Sequence, residues 1–102
     1  MLQLRPNCEC CDKDLAANST EAMICSYECT FCRQCVEEVL ENVCPNCGGG
    51  FTPRPIRPQK AYRDGVSRGF QPESDQRVQT RYTRREIHNF QRAIKAIPPQ
   101  DR

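Results

Sequence analysis

Residues 8–47 read CECCDKDLAANSTEAMICSYECTFCRQCVEEVLENVCPNC, and this stretch holds all nine cysteines of the 102-residue chain. Eight of them form four pairs whose members are separated by two or three residues: Cys8/Cys11, Cys25/Cys29, Cys32/Cys35 and Cys44/Cys47. Spacers this short let a tight turn direct both sulfur atoms toward one tetrahedral ion. The four pairs therefore predict two zinc ions with four thiolates each, and Cys10 is left over.

The rest of the composition explains why metal ions are needed. The chain has no tryptophan, and its mean hydropathy is -0.77. A hydrophobic core alone does not stabilise so short and polar a chain, so disulfides or metal ions must add to it. The sequence has neither an apolar run typical of a signal peptide nor a stretch that could span a membrane. This favours a reducing, cytoplasmic location, where clustered cysteines usually bind metal. A disulfide framework and an iron–sulfur cluster are the less favoured alternatives.

Secondary structure within the cysteine stretch follows from its apolar pattern. Residues 22–25 predict a short strand that pairs in a hairpin with a second strand near residues 29–31. A helix is predicted to begin at Arg33 or Gln34 and to be stopped by Pro45. Its apolar face is formed by Val36, Val39, Leu40 and Val43. Residues 1–51 are thus expected to form a small metal-stabilised α+β module with Phe51 as its last core residue.

The second half of the chain differs in charge and composition. Residues 1–50 carry three basic and eight acidic side chains, a net charge of -5, whereas residues 51–102 carry twelve basic and five acidic ones, a net charge of +7. Residues 52–82 are rich in proline and arginine and lack an apolar period, which predicts a flexible linker. This basic tail is expected to be solvated, to fold back on the acidic module, or to bind nucleic acid.

A second, amphipathic helix is predicted at residues 83–97, followed by a disordered end at residues 98–102. Thr83 and Glu86 form a capping box at its start. One face carries the apolar side chains of Ile87, Phe90, Ile94 and Ile97. An isolated helix of this length is marginal in water, so it is expected to pack on the module, on a second copy or on a partner. The tail as a whole is expected to add little to the stability of the module.

The spacing of the eight paired cysteines resembles that of RING domains at each ligand position, in an all-cysteine variant. Phe31 before the fifth ligand and Pro45 after the seventh are also RING-like. The resemblance implies a cross-brace, in which Cys8, Cys11, Cys32 and Cys35 bind the first zinc ion and Cys25, Cys29, Cys44 and Cys47 bind the second. The first set fits a treble-clef site, in which a knuckle is followed later by a cysteine pair that opens a helix, here Cys32 and Cys35. Two sequential zinc ribbons that do not interleave are the structural alternative.

The sequence departs from RING ubiquitin ligases at two functional positions. Gly48 stands where those proteins carry a basic residue that bridges the conjugating enzyme and ubiquitin. The apolar groove for that enzyme maps to Cys10, Leu40 and Pro45, and Cys10 stands there in place of a larger aliphatic residue. The N-terminal half also resembles a short bacterial cysteine-rich family of unassigned function, which begins Leu-Arg-Pro-Asn-Cys-Glu-Cys-Cys and ends near Pro-Arg-Pro-Ile-Arg-Pro. A RING of the ubiquitin-ligase type is therefore an alternative only.

The favoured function is that of a zinc-stabilised, RING-like protein-interaction module without catalysis of its own. Closed sets of four thiolates leave no open position for water, and the only histidine, His88, lies in the tail helix. The partner surface is expected to involve Leu40, Pro45, Ile87, Phe90 and Ile94. Nucleic-acid binding through the basic tail is the second alternative. No membrane partner is expected, and the sequence leaves the oligomeric state open.

Overall fold

The computed structural model describes residues 1–102 and contains a small sheet and three helical segments. The strands are β1 (Ala22–Ile24), β2 (Thr30–Cys32) and β3 (Thr52–Pro53), and they form an antiparallel sheet in the order β2-β1-β3. The helices are α1 (Arg33–Cys35), which continues as a π-helical turn (Val36–Leu40), α2 (Arg84–Arg92) and a final 3-10 helix (Pro99–Asp101). No helix is both long and apolar enough to cross a membrane. The architecture fits the metal-stabilised α+β class predicted from the sequence.

The β1–β2 hairpin lies where the sequence predicts it. Met23 in β1 lies opposite Phe31 in β2 and opposite Pro53 in β3. The connecting turn is closed by two hydrogen bonds, in which the Cys25 N–H donates to the Cys29 carbonyl and the Glu28 N–H donates to the Cys25 carbonyl. Glu28 has a positive φ of 66°. This turn explains the three-residue spacer between Cys25 and Cys29, because one extra residue takes up the left-handed step.

The helix that follows β2 ends earlier than predicted. Its helical residues run from Arg33 to Leu40, so Pro45 is not what stops it. Glu41 and Asn42 both have left-handed backbone angles, with φ of 47° and 59°, and these end the helix. The Asn42 side chain then accepts a hydrogen bond of 2.9 Å from the Phe51 N–H. Asparagine tolerates this conformation better than most residues, which a search for proline or glycine stops does not detect.

The hydrophobic core lies between the sheet and the two helices. Phe31 is fully buried and packs edge-on against Phe51, with ring centroids 5.4 Å apart. Leu15, Leu40 and six of the paired cysteines belong to the same buried cluster. Ile87 of α2 also belongs to it and is only 2% exposed. The tail therefore contributes directly to the core of the module.

Residues 52–82, which their composition predicts to be a flexible linker, contact the module at several points. Arg54 is buried, and its guanidinium donates hydrogen bonds of 2.8 and 2.9 Å to the backbone carbonyls of Arg5 and Ala16. Further along, the Ser74 N–H donates to the Leu4 carbonyl at 2.9 Å, and the Thr80 N–H donates to the Glu9 carbonyl at 2.7 Å. The segment thus follows the surface of the module, which argues against the predicted disorder.

Asn7 and Arg77 add two more attachments between the module and the tail. The buried Asn7 side chain donates to the Val78 carbonyl at 2.8 Å and accepts from the Val78 N–H at 3.1 Å. Arg77 forms salt bridges with Asp12 at 2.8 Å and Asp14 at 2.6 Å. The basic tail therefore folds back on the acidic module, one of the arrangements expected from the charge difference.

α2 begins with the predicted capping box but is shorter than predicted. The Glu86 N–H donates to the Thr83 hydroxyl at 3.1 Å, and the Thr83 N–H donates to the Glu86 carboxylate at 3.0 Å. The helix ends at Arg92, and residues 93–97 form turns. Gln91 is buried and donates to the Val39 carbonyl at 2.9 Å. The packing of α2 on the first helix is at odds with the expectation that the tail adds little to stability.

Candidate metal centres

The sulfur atoms of Cys8, Cys11, Cys32 and Cys35 all lie within 4.8 Å of one another. The distance between the Cys11 and Cys32 Sγ atoms is 3.8 Å. A tetrahedral zinc ion with Zn–S bonds of about 2.3 Å separates its sulfur ligands by about 3.8 Å, so this cluster has the size that such an ion requires. Three of the four cysteines are buried and Cys11 is exposed. The chemistry and the geometry of this donor set therefore fit zinc.

Two turns of the same design present the first and last cysteine pairs. The Asp12 N–H donates to the Cys8 carbonyl at 2.9 Å, and the Gly48 N–H donates to the Cys44 carbonyl at 2.7 Å. The residue that closes each turn has a positive φ, 65° at Asp12 and 80° at Gly48. Backbone N–H groups also point at sulfur, from Cys11 to Cys8 at 3.5 Å and from Gly49 to Cys47 at 3.4 Å. Such donors stabilise thiolates, which are the form that binds metal.

The strand β2 lies between two cysteines that the sequence assigns to different zinc sites. Cys29 directly precedes β2, and Cys32 is its last residue and the N-terminal boundary of α1. Cys35 follows one helical turn later and brings its sulfur back to the same side as Cys32. A pair separated by two residues at a strand-to-helix junction therefore meets at one point. This local structure supports the sequence argument that placed Cys32 and Cys35 in one site.

The second cluster contains Cys25, Cys44 and Cys47, whose sulfur atoms also lie within 4.8 Å of one another. Cys29 is buried next to this cluster, outside the 4.8 Å limit. Its sulfur accepts a hydrogen bond of 3.3 Å from the Asn46 side chain. Three of the four cysteines assigned to the second ion are thus brought together, and Cys29 as the fourth ligand stays a prediction.

The thiol pKa values show that neighbouring sulfur atoms in each cluster disfavour simultaneous ionisation. Hydrogen bonds from the Cys29 and Cys44 thiols lower the pKa of Cys25 to about 3. The same contacts with Cys25 and Cys29, together with burial, raise the pKa of Cys44. In the other cluster, burial and the nearby Cys8 sulfur raise the pKa of Cys35. Without a cation, one thiolate is stabilised only if its neighbours keep their protons, whereas a divalent cation favours all the thiolates at once.

Cys10 lies outside both clusters. Its side chain is partly buried and packs against the hydrophobic core. Burial raises the pKa of its thiol, which makes it a poorer nucleophile. A packing role fits these observations.

The residues predicted to bind a partner fall into two groups. Leu40 and Ile87 are both buried in the core, although Ile87 also lines the groove formed by Pro45 and Phe90, and their part in a partner surface stays a prediction. Pro45 and Phe90 line an apolar groove of about 320 Å³, together with Tyr82. Ile94 is half-buried close to Gly48, where an added side chain would lie 3.6 Å from its Cδ1 atom.

Sequence reasoning missed the buried polar residues that support the first cluster. Glu9 is almost fully buried between two cysteines of the chain, and its carboxylate accepts hydrogen bonds of 2.6 Å from the Thr30 N–H and from Arg5. Burial raises the pKa of this carboxyl group. Asn7 donates to the Asp12 carboxylate at 3.0 Å, and Arg77 contacts the same carboxylate. In the sequence, the one sign of this network is Glu9, an acidic residue between Cys8 and Cys10.

Comparison with known proteins places these features in a family. No solved structure matches the chain. The uncharacterized protein R02474 of Rhizobium meliloti (strain 1021) is 53% identical over 76 residues, which cover 72% of this chain and 90% of that protein. A family model described as a protein of unknown function, DUF1272, matches residues 1–57. The resemblance to a cysteine-rich family of unassigned function is thereby confirmed. Because the match includes all nine cysteines and more than half of the sequence, the chain belongs to the DUF1272 family.

Proposed function

We propose that this protein is a zinc-stabilised, RING-like protein-interaction module with no catalysis of its own. The observation that carries the proposal is the cluster of four cysteine sulfurs at Cys8, Cys11, Cys32 and Cys35. These residues would hold one zinc ion, and Cys25, Cys29, Cys44 and Cys47 would hold the other. Bound zinc would cross-link segments that are distant in sequence and would neutralise the thiolates.

A set of four thiolates supports a structural role for the metal. Catalytic zinc sites keep a position for water or substrate, whereas four cysteine ligands complete the tetrahedral shell. The first cluster is mostly buried, and the Cys11 N–H donates to the Cys8 sulfur. These properties favour stabilisation of the fold over activation of water.

The interleaving of the two clusters along the chain favours a cross-brace over sequential ribbons. The first cluster draws its sulfurs from residues on both sides of Cys25, and the second draws its sulfurs from both sides of the Cys32/Cys35 pair. β2, only three residues long, lies between Cys29 and the helix that carries Cys35. A shift of this strand would disturb both clusters.

The groove lined by Pro45, Tyr82 and Phe90 is the docking surface that we propose for a protein partner. It is mainly apolar, and Phe90 is 42% exposed at its edge. A half-exposed aromatic side chain beside an apolar groove is typical of residues that dominate protein–protein binding energy.

A role as a ubiquitin ligase is less well supported. Gly48 offers no side chain, and its left-handed backbone disfavours substitution by a basic residue. Leu40, expected in the groove for a conjugating enzyme, is fully buried, and α2 packs against the helical turn that carries it. A basic tail that binds nucleic acid along its whole length is also less well supported, because Arg54, Arg77 and Arg102 are engaged in contacts within the chain.

Metal quantification together with affinity capture tests the proposal. Purified protein should contain two zinc ions per chain, and a Cys32→Ser variant should lose at least one of them. Tagged protein from its own host should capture a discrete partner, which Phe90→Ser should no longer retain. Tyr27→Ser is the matched control, because Tyr27 is an exposed aromatic residue outside the groove. Absence of zinc, or equal capture by both aromatic variants, would contradict the proposal.

A further inference from the structure

Residues 57–71 form a closed loop, here called the basic loop. The Arg68 N–H donates to the Pro58 carbonyl at 2.8 Å, and the Gln71 side chain donates to the Gly65 carbonyl at 2.8 Å. Arg57 donates to the Gln71 carbonyl at 2.6 Å and to the Leu2 carbonyl at 2.8 Å. The ends of the loop are thus tied to each other and to the module, so its side chains project from an ordered base.

The basic loop carries positive charge that is not neutralised within the chain. It contains four basic residues and one acidic residue, Asp64, for a net charge of +3. Arg57 is used for the contacts at the base, but Lys60, Arg63 and Arg68 form no salt bridge. By contrast, Arg77 and Lys95 elsewhere in the tail are paired with acidic residues of the module. The loop therefore carries three cations that no carboxylate of the chain neutralises, of which Arg68 is half-buried and donates to the Gln59 side chain at 3.4 Å.

Exposed aromatic rings lie among these cations. Tyr62 is 75% exposed and Phe70 is 64% exposed. The Lys60 ammonium lies 5.5 Å from the centroid of the Tyr62 ring. A shallow apolar groove of about 330 Å³ adjoins the ring and is lined in part by Met1 and Val66. These exposed rings are available to stack on a ligand.

We propose that the basic loop binds single-stranded nucleic acid. Tyr62 and Phe70 stack on unpaired bases, and Lys60, Arg63 and Arg68 contact the phosphates. Sequence-tolerant binding to single strands combines two elements. Cations lie along the nucleic-acid backbone, and aromatic rings stack on the bases. The loop shares no residue with the groove at Pro45 and Phe90, so this inference does not depend on the proposed docking of a protein partner.

Two other anionic partners fit the loop less well. An acidic peptide would pair with the three cations but would leave the aromatic rings without a planar group to stack on. A membrane surface would have to accept Asp64, which is exposed in the turn between Arg63 and Val66. Bringing this carboxylate into an anionic interface is unfavourable, whereas a single strand can lie along the side of the loop.

Fluorescence anisotropy of the full-length, zinc-loaded protein tests the proposal. Labelled 12-nucleotide DNA and RNA single strands of mixed sequence and a DNA duplex of equal length are the probes. Both single strands should bind more tightly than the duplex, and a preference between them would show whether the ribose hydroxyl is recognised. With three phosphate contacts, the logarithm of the association constant should fall with the logarithm of the salt concentration with a slope of about -2. Binding that favours the duplex or ignores salt would overturn the proposal.

Matched variants separate base stacking and the charges of the basic loop from attraction due to the net charge of the whole protein. Tyr62→Ala and Phe70→Ala should each weaken binding by about 5- to 150-fold, whereas Tyr27→Ala, which removes an equally exposed ring on the acidic module, should leave it unchanged. Replacing Lys60, Arg63 and Arg68 together by glutamine should abolish measurable binding. The control replaces the exposed Arg33, Arg85 and Arg92 by glutamine and alters the net charge equally.

Equal losses in the two triple variants would mean that only net charge matters and would refute the loop as the site. Zinc content and circular dichroism of each variant show that the fold is kept. A poly-glutamate peptide and vesicles containing anionic lipid serve as competing partners. Strong binding to either of these, without binding to the single strands, would replace the proposal by the corresponding alternative.

Discussion

The two halves of the chain are held in place by different interactions. In residues 1–51, sulfur clusters and a few large apolar side chains such as Phe31 and Leu40 surround a small sheet. In residues 52–82, order comes from single polar contacts, in which Arg54, Ser74 and Thr80 bind backbone groups of the module. In these three contacts the first half provides the acceptors and the second half the donors, whereas Asn7 and Ala17 of the first half donate to Val78 and Glu73 of the tail.

α2 does not follow this division. Its residue Ile87 is buried in the core of the module, and its residue Gln91 binds the first helix. The extended part of the tail is therefore attached to the module by polar contacts, and α2 adds a contact through the hydrophobic core. A segment with little apolar character can thus be ordered along its length if its end returns to the core.

Removal of metal should have the largest effect on this arrangement. Chelation of both ions is expected to unfold the module and, with it, the tail, because metal binding and folding are one event in a chain with so small a core. Circular dichroism and zinc release should change together during a titration with chelator. Release of one ion that leaves a folded half would favour two sequential ribbons instead.

Truncation of Ile87 should measure how far the tail belongs to the core. Ile87→Ala is expected to lower the free energy of unfolding of the zinc-loaded protein by about 2–5 kcal/mol, because it creates a cavity at a buried site. Denaturant unfolding followed by circular dichroism gives the value. Ile97→Ala, at a more exposed position, should change it by less than about 0.5 kcal/mol. Equal, small effects would restore the expectation that the tail is dispensable.

Loss of the Arg54 contacts should loosen the extended part of the tail more than the module. Arg54→Met keeps much of the side-chain volume but removes both hydrogen bonds to carbonyls, at an expected cost of about 1–3 kcal/mol. Hydrogen exchange should accelerate most at the backbone amides of Ser74 and Thr80. Arg85→Met, which removes an exposed guanidinium, provides the comparison. Unchanged exchange in the tail would show that the other contacts suffice.

Replacement of Cys10 should have the smallest effect. Cys10→Ser is expected to keep both zinc ions and to cost no more than about 1 kcal/mol, since the thiol serves only as a small, partly buried apolar group. Mass spectrometry of the native protein counts the ions. If Cys10→Ser loses a zinc ion while Cys11→Ser keeps both, the first ligand set is wrong.

Sequence reasoning succeeded where structure depends on short, local patterns. The paired cysteines and the capping box at Thr83 are set by residues within four positions of each other, and the β1–β2 hairpin pairs residues no more than ten positions apart. It failed where single polar side chains bind backbone groups far away in sequence. Asn7 forms a hydrogen bond with Val78, which lies 71 positions later in the sequence. No periodic pattern of residues predicts such a contact. The early end of the first helix was missed because two consecutive left-handed residues, Glu41 and Asn42, carry no proline or glycine signal.

The position of β2 has a consequence for how the protein would respond to scarce metal. The strand spans three residues, about 10 Å, with Cys29 at one end and Cys32 at the other. If each end is fixed by its own ion, neither site is well formed while the other is empty. Half-loaded molecules would then be rare, and a limiting supply of zinc would divide the population into full and empty chains. The number of functional molecules would rise steeply over a narrow range of free zinc concentration, as in a threshold response.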